Sequence, residues 1–210
     1  VTPYLLLPLC YLMGAIQFAL LIGRLWKGID IRQYGSGNVG ATNVLRVLGP
    51  VPGAIVLTAD VAKGAIPVVL CRLAGFSPAL VVLGGLLAVL GHIFSAFSRF
   101  TGGKGVATSL GVLLGLSPAV ALSGLGIWLA VVIATRYISL GSILAALSIP
   151  IWMWVYGQPL EYKEFGLAAA ALVIIRHRSN IARLLSGTEH KFGEHVTVDK
   201  EGEGHGGDSG

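Results

Sequence analysis

Long apolar stretches constrain the fold of this chain more than any other feature. They fall at about 4–23, 53–75, 79–98, 138–156 and 164–176. A helix needs ~20 such residues to cross the ~30 Å hydrocarbon core of a bilayer. Charged residues make up 12% of the sequence, about half the share of a soluble domain. The 210 residues therefore predict an all-α integral membrane protein, a single bundle with little room for a soluble domain.

The segment 105–135 decides the number of crossings. One straight helix there would run ~45 Å, too long for a single span. Ser117-Pro118 near its middle is a helix stop followed by a helix start. Basic residues cluster after the first span (Arg24, Lys27, Arg32, Arg46), after the third (Arg99, Lys104), at Arg136, and at Arg176, Arg178 and Arg183. If all of these face the cytoplasm, the segment between Lys104 and Arg136 crosses an even number of times. Split into 105–116 and 118–135, it makes seven transmembrane helices, with the N-terminus outside and the C-terminus inside. The short first half should start partway into the membrane, with its N–H groups facing a cavity. Lys63 and Arg72, around the second span, fit this pattern less cleanly.

No basic residue precedes the first stretch, while Arg24 and Lys27 follow it. That is the polarity of a helix with its start outside rather than of a signal peptide. Residues 1–186 hold 13 basic against 4 acidic groups. Such a bundle suits anionic lipid or an anionic substrate. Six of the ten acids lie in the last 24 residues. The division expected is a bundle over 1–192 and a disordered, Gly- and acid-rich tail over 193–210. Cys10 and Cys71 lie in apolar stretches and read as packing residues. No spacing suggests a metal site, and no cofactor or nucleic acid is implied.

Three polar constellations interrupt the apolar pattern. The first is Ser36-Gly-Asn-Val-Gly-Ala-Thr-Asn-Val-Leu-Arg46. Gly37 and Gly40 allow close backbone approach. Ser36, Asn38, Thr42 and Asn43 offer neutral donors, and Arg46 adds a charged fork suited to phosphate. Thr42 or Asn43 is placed to cap the helix entering the next span, leaving its N-terminus for an anion.

The second constellation carries Gly91-His92, the aromatic face of Phe94, Phe97 and Phe100, and then Thr101-Gly-Gly-Lys-Gly-Val-Ala-Thr108. Lys104 set among Gly102, Gly103 and Gly105 at a helix start is a phosphate grip, with Thr108 one turn on. It is no Walker A motif, because Ser98 stands where that pattern needs glycine. The third runs Arg176-His-Arg-Ser-Asn-Ile-Ala-Arg183-Leu-Leu-Ser-Gly-Thr-Glu189. On one helix Arg176, Asn180 and Arg183 would share a face, and Gly187 would end that helix. Asp60 and Lys63 are i, i+3 partners near a span end and read as a structural ion pair, with an active-site role as the alternative.

In this order the three motifs resemble the bacterial integral-membrane glycerol-3-phosphate acyltransferases that use acyl phosphate, the PlsY family. The similarity covers about residues 4–192. One departure is Thr101, where many relatives carry Lys or Arg. The resemblance implies seven transmembrane helices in the bacterial plasma (inner) membrane, with a cleft facing the cytoplasm. It implies transfer of an acyl chain from acyl phosphate to the 1-hydroxyl of glycerol 3-phosphate; a monomer without cofactor is expected. Lysophosphatidic acid and inorganic phosphate would leave.

On this reading Ser36, Lys104, His92 and His177 are the catalytic candidates. Gly37, Asn38, Gly40, Thr42, Asn43, Arg46, Gly102, Gly103, Gly105, Thr108, Asn180 and Arg183 are the substrate-binding ones. Which pocket holds which phosphate stays open. So does the base: His92, His177 or a phosphate oxygen of the substrate. The His-x4-Asp pairing of another acyltransferase superfamily is absent, because Phe97 and Ala182 stand at that spacing. The competing function is a transporter of phosphate or organophosphate, which would want a midplane site open to both faces. A phosphatase would want paired acids or metal ligands, and none assemble.

Overall fold

The computed structural model describes residues 3–194, and every regular element in that range is a helix. The helices are α1 (Pro3–Ala15), α2 (Phe18–Lys27), α3 (Ala41–Leu48), α4 (Pro50–Leu73), α5 (Pro78–Ile93), α6 (Val106–Leu116), α7 (Pro118–Thr135), α8 (Ile138–Val155), α9 (Leu160–Arg176) and α10 (Arg178–Leu185). Short 3₁₀ turns lie at Ile31–Gln33 and Ala96–Ser98. Pro50, Pro78 and Pro118 open α4, α5 and α7. The ring presets the helical φ, and the missing N–H would have had no intrahelical partner there. Beyond Glu194 the tail lies outside the described residues.

Four helices are long and apolar enough to cross a membrane: α4, α5 with its continuation to Ser98, α7 and α8. The pair α1 and α2 makes a fifth if its two halves count as one span bent by 41°. The chain is therefore a multi-pass integral membrane protein. The expected break falls where Ser117-Pro118 puts it, between α6 and α7. With 11 residues, α6 reaches ~16 Å and cannot cross alone. The 17 residues of α9 reach ~25 Å, short of a full hydrocarbon core. Length and apolarity alone thus give four or five spans rather than seven.

The first apolar stretch is also not the continuous helix expected over 4–23. It breaks at Ile16 and Gln17. Carbonyls freed inside hydrocarbon need partners, and distant residues supply them. Ser95 Oγ donates to the Ala15 carbonyl at 2.5 Å, and Lys63 Nζ to the Ile16 carbonyl at 2.6 Å. Gln17 Nε2 in turn donates to the His92 carbonyl at 3.0 Å. The far end of α6 is held in the same way. Arg72 donates to the Leu116 carbonyl at 3.1 Å and to the Tyr162 hydroxyl at 2.9 Å.

Small residues let the helices touch. A side chain at Gly64 of α4 would strike the Thr108 carbonyl of α6, and one at Gly111 of α6 would strike the Val61 carbonyl of α4. Between apolar helices in lipid, such backbone approach supplies the dispersion contact that water exclusion supplies in solution. The core around them holds Val68, Val89, Val112, Met153 and Phe165. Cys10 and Cys71 are free, fully buried thiols 3.8 Å apart within that core, as packing residues should be. Leu5, Leu73, Ile133, Trp154 and Leu160 point outward, as hydrocarbon-facing side chains do.

Candidate active site

Chain reversals at three places turn the three constellations toward one cleft. In the first, Asn43 organises the loop that precedes it. Its Oδ1 accepts the Ser36 N–H at 2.9 Å, and its Nδ2 donates to the carbonyls of Tyr34 at 3.0 Å and Ile31 at 3.3 Å. Both ends of this amide are engaged with backbone, so Asn43 shapes the loop. Gly35, with φ +61°, lies so close to Asn43 Oδ1 that a side chain would collide with it. Neither Thr42 nor Asn43 caps a helix. Gly40 is the N-cap of α3 and makes no side-chain bond. Nor does α3 enter the next span directly, because Gly49 at φ 95° separates it from α4. Thr42 and Asn43 lie in its first turn, leaving the N-terminal N–H groups toward the cleft.

The second constellation delivers another free helix start. Gly105 is the N-cap of α6, in the left-handed region at φ 84°, again with no side-chain cap. Two uncapped helix N-termini, those of α3 and α6, thus border one cavity. Each carries partial positive charge, which suits an anion. Lys104 precedes α6. Burial pushes its ammonium down to about 8, and the neighbouring arginines 183, 176 and 46 push the same way against Glu189.

The third constellation is bent at His177, so Arg176, Asn180 and Arg183 do not share one continuous helix face. Arg176 turns away to donate to the Gly102 carbonyl at 3.0 Å. Asn180 accepts from the Lys104 ammonium through Oδ1 and donates through Nδ2 to Glu189 at 2.6 Å. Arg183 Nε donates to the same carboxylate at 2.7 Å. His177 Nδ1 lies 2.7 Å from the Val173 carbonyl. Donating there leaves Nε2 as an acceptor. Burial first, then the Lys104 charge, holds this imidazole down at about 4, so it is neutral near pH 7. Gly187, at φ 71°, does end α10: the N–H groups of Gly187 and Thr188 close on the carbonyls of Leu184 and Arg183.

Twelve of the sixteen residues expected at the site line this cleft: Ser36, Asn38, Gly40, Thr42, Asn43, Arg46, His92, Lys104, Gly105, His177, Asn180 and Arg183. Four do not. Gly37 is in a turn, its N–H bonded to the Tyr34 carbonyl at 3.0 Å. Gly102 and Gly103 pack on His92, where a side chain would strike its carbonyl and its ring. Thr108 is fully buried and faces α4.

Two acids outside the sixteen candidates also line the cleft: Asp60, and Glu189 from the end of the third motif. Asp60 is ten residues inside α4, ~15 Å from its start, rather than near a span end. Its i, i+3 spacing to Lys63 revealed the ion pair but not that α4 borders the cleft. Away from the charged mouth the wall turns apolar, with Leu113, Ala121, Leu125, Trp128, Ala146 and Ile149 among its residues. One cavity therefore has a cationic mouth and an apolar arm between α6, α7, α8 and α9.

Comparison with known proteins gives the family. The family model for glycerol-3-phosphate acyltransferase matches residues 4–187. Glycerol-3-phosphate acyltransferase 2 of Moorella thermoacetica is 52% identical over 90% of this chain and 97% of its own. The glycerol-3-phosphate acyltransferase of Geobacter sulfurreducens is 45% identical over 90% of this chain and 96% of its own. Among solved structures, PlsY (YgiH), an integral membrane glycerol 3-phosphate acyltransferase, superposes in its glycerol 3-phosphate form with a TM-score of 0.87 and 44% identity, over 91% of this chain and 96% of that one. Its lysophosphatidic acid form gives a TM-score of 0.84. A match spanning nearly the whole bundle makes this chain a member of the glycerol-3-phosphate acyltransferase family.

Proposed function

We propose that this protein transfers a fatty acyl group from acyl phosphate to the 1-hydroxyl of sn-glycerol 3-phosphate. The products are lysophosphatidic acid and inorganic phosphate, in the first acylation step of phospholipid biosynthesis. The observation that carries the reading is the single cleft with a cationic mouth and an apolar arm. Two phosphate-bearing substrates need anion contacts, and a fatty chain needs a dry groove. A transport function draws no support from a family of acyltransferases.

In this mechanism Lys104, Ser36, Thr42 and the N-terminus of α6 from Gly105 hold the phosphate of the donor. Their positive charge stabilises the leaving phosphate as its bond to the acyl carbon breaks. Arg46, Arg183, Asn180 and the His177 Nε2 edge hold glycerol 3-phosphate, with Asn38 orienting its hydroxyls. The apolar arm receives the acyl chain and fixes the carbonyl beside the attacking hydroxyl. Much of the acceleration then comes from positioning two bound substrates. Gly37, Gly40, Asn43, Gly102, Gly103 and Thr108 shape the loops that carry these groups.

The protein acts as a monomer in the bacterial plasma membrane. Residues 1–192 form the catalytic bundle, and 193–210 take no part in the chemistry. With α6 and α9 counted as short crossings, the bundle has seven. The clustered arginines and lysines put the cleft and the C-terminus on the cytoplasmic side.

The test supplies purified protein in lipid with acyl phosphate and glycerol 3-phosphate and follows phosphate release. Release that requires glycerol 3-phosphate and matches the lysophosphatidate formed supports acyl transfer. Failure of release, with glycerol 3-phosphate carried across the bilayer instead, overturns it.

A further inference from the structure

A groove with a closed end limits the chain that fits it, because further methylenes must displace packed side chains. The apolar arm of the cleft closes on one layer of residues: Leu113 of α6, Ala121 of α7, Ile149 of α8 and Ala169 of α9. All four are between 1% and 7% exposed, so this end of the arm is shut off from the bilayer. Past the layer, Leu116, Val120, Met153 and Phe165 fill the bundle as core, and none of them borders the cavity. Nearer the mouth the walls carry Ala146 and Ala170, too small to block passage. Ile149 stands ~16 Å along α8 from Ile138, where that helix starts. Its side chain has a shaped seat. Gly124 of α7 also lines the arm, and a Cβ there would come within 2.6 Å of Ile149 Cδ1. On the other side Ile149 Cγ2 lies 3.4 Å from where a Cβ would stand on Gly166 of α9. Glycines from two helices thus hold one branched side chain across the end of the arm.

We propose that Ile149, seated against Gly124, sets the longest acyl chain that the protein transfers efficiently. The inference rests on the acyltransferase reading above and names the residue that decides among its donors. For transfer, the donor carbonyl must sit beside the acceptor hydroxyl, at the end of the cleft that holds Lys104 and the start of α6. One end of the acyl chain is thereby fixed, and the other advances toward Ile149 with each methylene. A chain that stops short leaves apolar wall uncovered and forgoes dispersion contact. A chain that overreaches must push Ile149 off Gly124 or hold its carbonyl out of line, and lost alignment lowers turnover. One methylene too many or too few in an apolar pocket changes kcat/KM about tenfold or more.

The test measures kcat/KM across saturated acyl phosphates stepped by two carbons, in lipid-reconstituted protein at saturating glycerol 3-phosphate. Wild type should show an optimum, with a fall of about tenfold or more beyond it. Ile149→Ala opens the arm toward Met153 and should move the optimum to longer chains. Ile149→Val removes only Cδ1, disturbs the core least, and should soften the fall on the long side. Gly124→Ala puts a methyl where Cδ1 lies and should move the optimum to shorter chains. Leu147→Ala, on the exposed side of α8, should leave the profile in place. A merely structural role would scale every length alike, so equal losses at all lengths in the Ile149 variants overturn the proposal. A wild-type profile flat among long chains also overturns it, because the chain end then leaves the arm for the bilayer. Wild-type protein without turnover at any length would sink the acyltransferase reading instead. Equilibrium binding of alkyl phosphates of the same lengths then decides the floor. An affinity maximum that moves to longer chains in Ile149→Val supports it, and one length dependence shared by all variants overturns it.

Discussion

Lys104 and Asn180, 76 residues apart in sequence, meet through a bond from the ammonium to the amide oxygen. The amide nitrogen of Asn180 continues the chain to Glu189, which Arg183 also grips. Loop, helix and C-terminal turn are thereby joined around the place where phosphate would sit. Lys104→Ala should lower kcat/KM by about 10²–10³-fold, the usual scale for losing one donor to developing charge. Asn180→Leu should lower it comparably, and the two losses should not add. Phosphate release with matched lysophosphatidate analysis reads all three variants.

A lysine held down at about 8 makes substrate capture sensitive to alkali. The ammonium form predominates below that value and is lost above it. In the free enzyme kcat/KM should therefore fall as pH rises through about 8, approaching tenfold per unit. Lys104→Arg keeps its charge at every accessible pH and should move this limb upward. A pH profile of kcat/KM for both proteins makes the comparison.

The contact between α4 and α6 has no room for a side chain at Gly64. Gly64→Ala should push α6 outward and destabilise the bundle by about 1–3 kcal/mol, the range for overpacking. Thermal unfolding in a mild detergent checks the loss. Because α6 presents its N-terminus to the cleft, activity should fall with it.

Arg72 acts far along the sequence from the polar motifs, at the other end of α6. Arg72→Met leaves the Leu116 carbonyl without its donor and should cost about 1–3 kcal/mol. Its thermal midpoint should drop by several degrees while kcat in lipid stays near wild type. Tyr162→Phe, which keeps the bond to Leu116, should show a smaller drop.

Asn43 should be a loop residue in its kinetics. Asn43→Ala frees the Ser36 N–H and the carbonyls of Ile31 and Tyr34. KM should rise more than kcat falls, because the loop must be reordered on binding. Hydrogen exchange over residues 31–40 should quicken in the same variant.

Much of the cleft lining is legible in the residue types alone. Glycine, short polar residues and one cation in a row, beside apolar spans, have few roles other than holding an anion. Twelve of those residues do line one cleft, so the chemistry of residue types and their spacing was informative. The glycines divided for a local reason. Gly105 and Gly40 precede helix starts that open on the cleft, while Gly102 and Gly103 are small so that the chain can lie on His92. A string of letters does not say which neighbour a glycine makes room for.

By itself the sequence determined the membrane class, the proline-led helix starts, the break at Ser117-Pro118 and the gathering of glycine, short polar residues and cations into three segments. Each follows from short-range physics: hydrocarbon transfer, the proline ring, and the unpaired N–H groups of a helix start. Only the tertiary structure decided that the first apolar stretch breaks at Ile16 and that Lys63 and Ser95 satisfy the break. It alone put Asp60 at the cleft within 3.8 Å of His92, and bent the third motif at His177. These contacts join residues from about 30 to 80 positions apart. Their geometry is set by how closely glycine-bearing helices pack, and no local pattern encodes that distance.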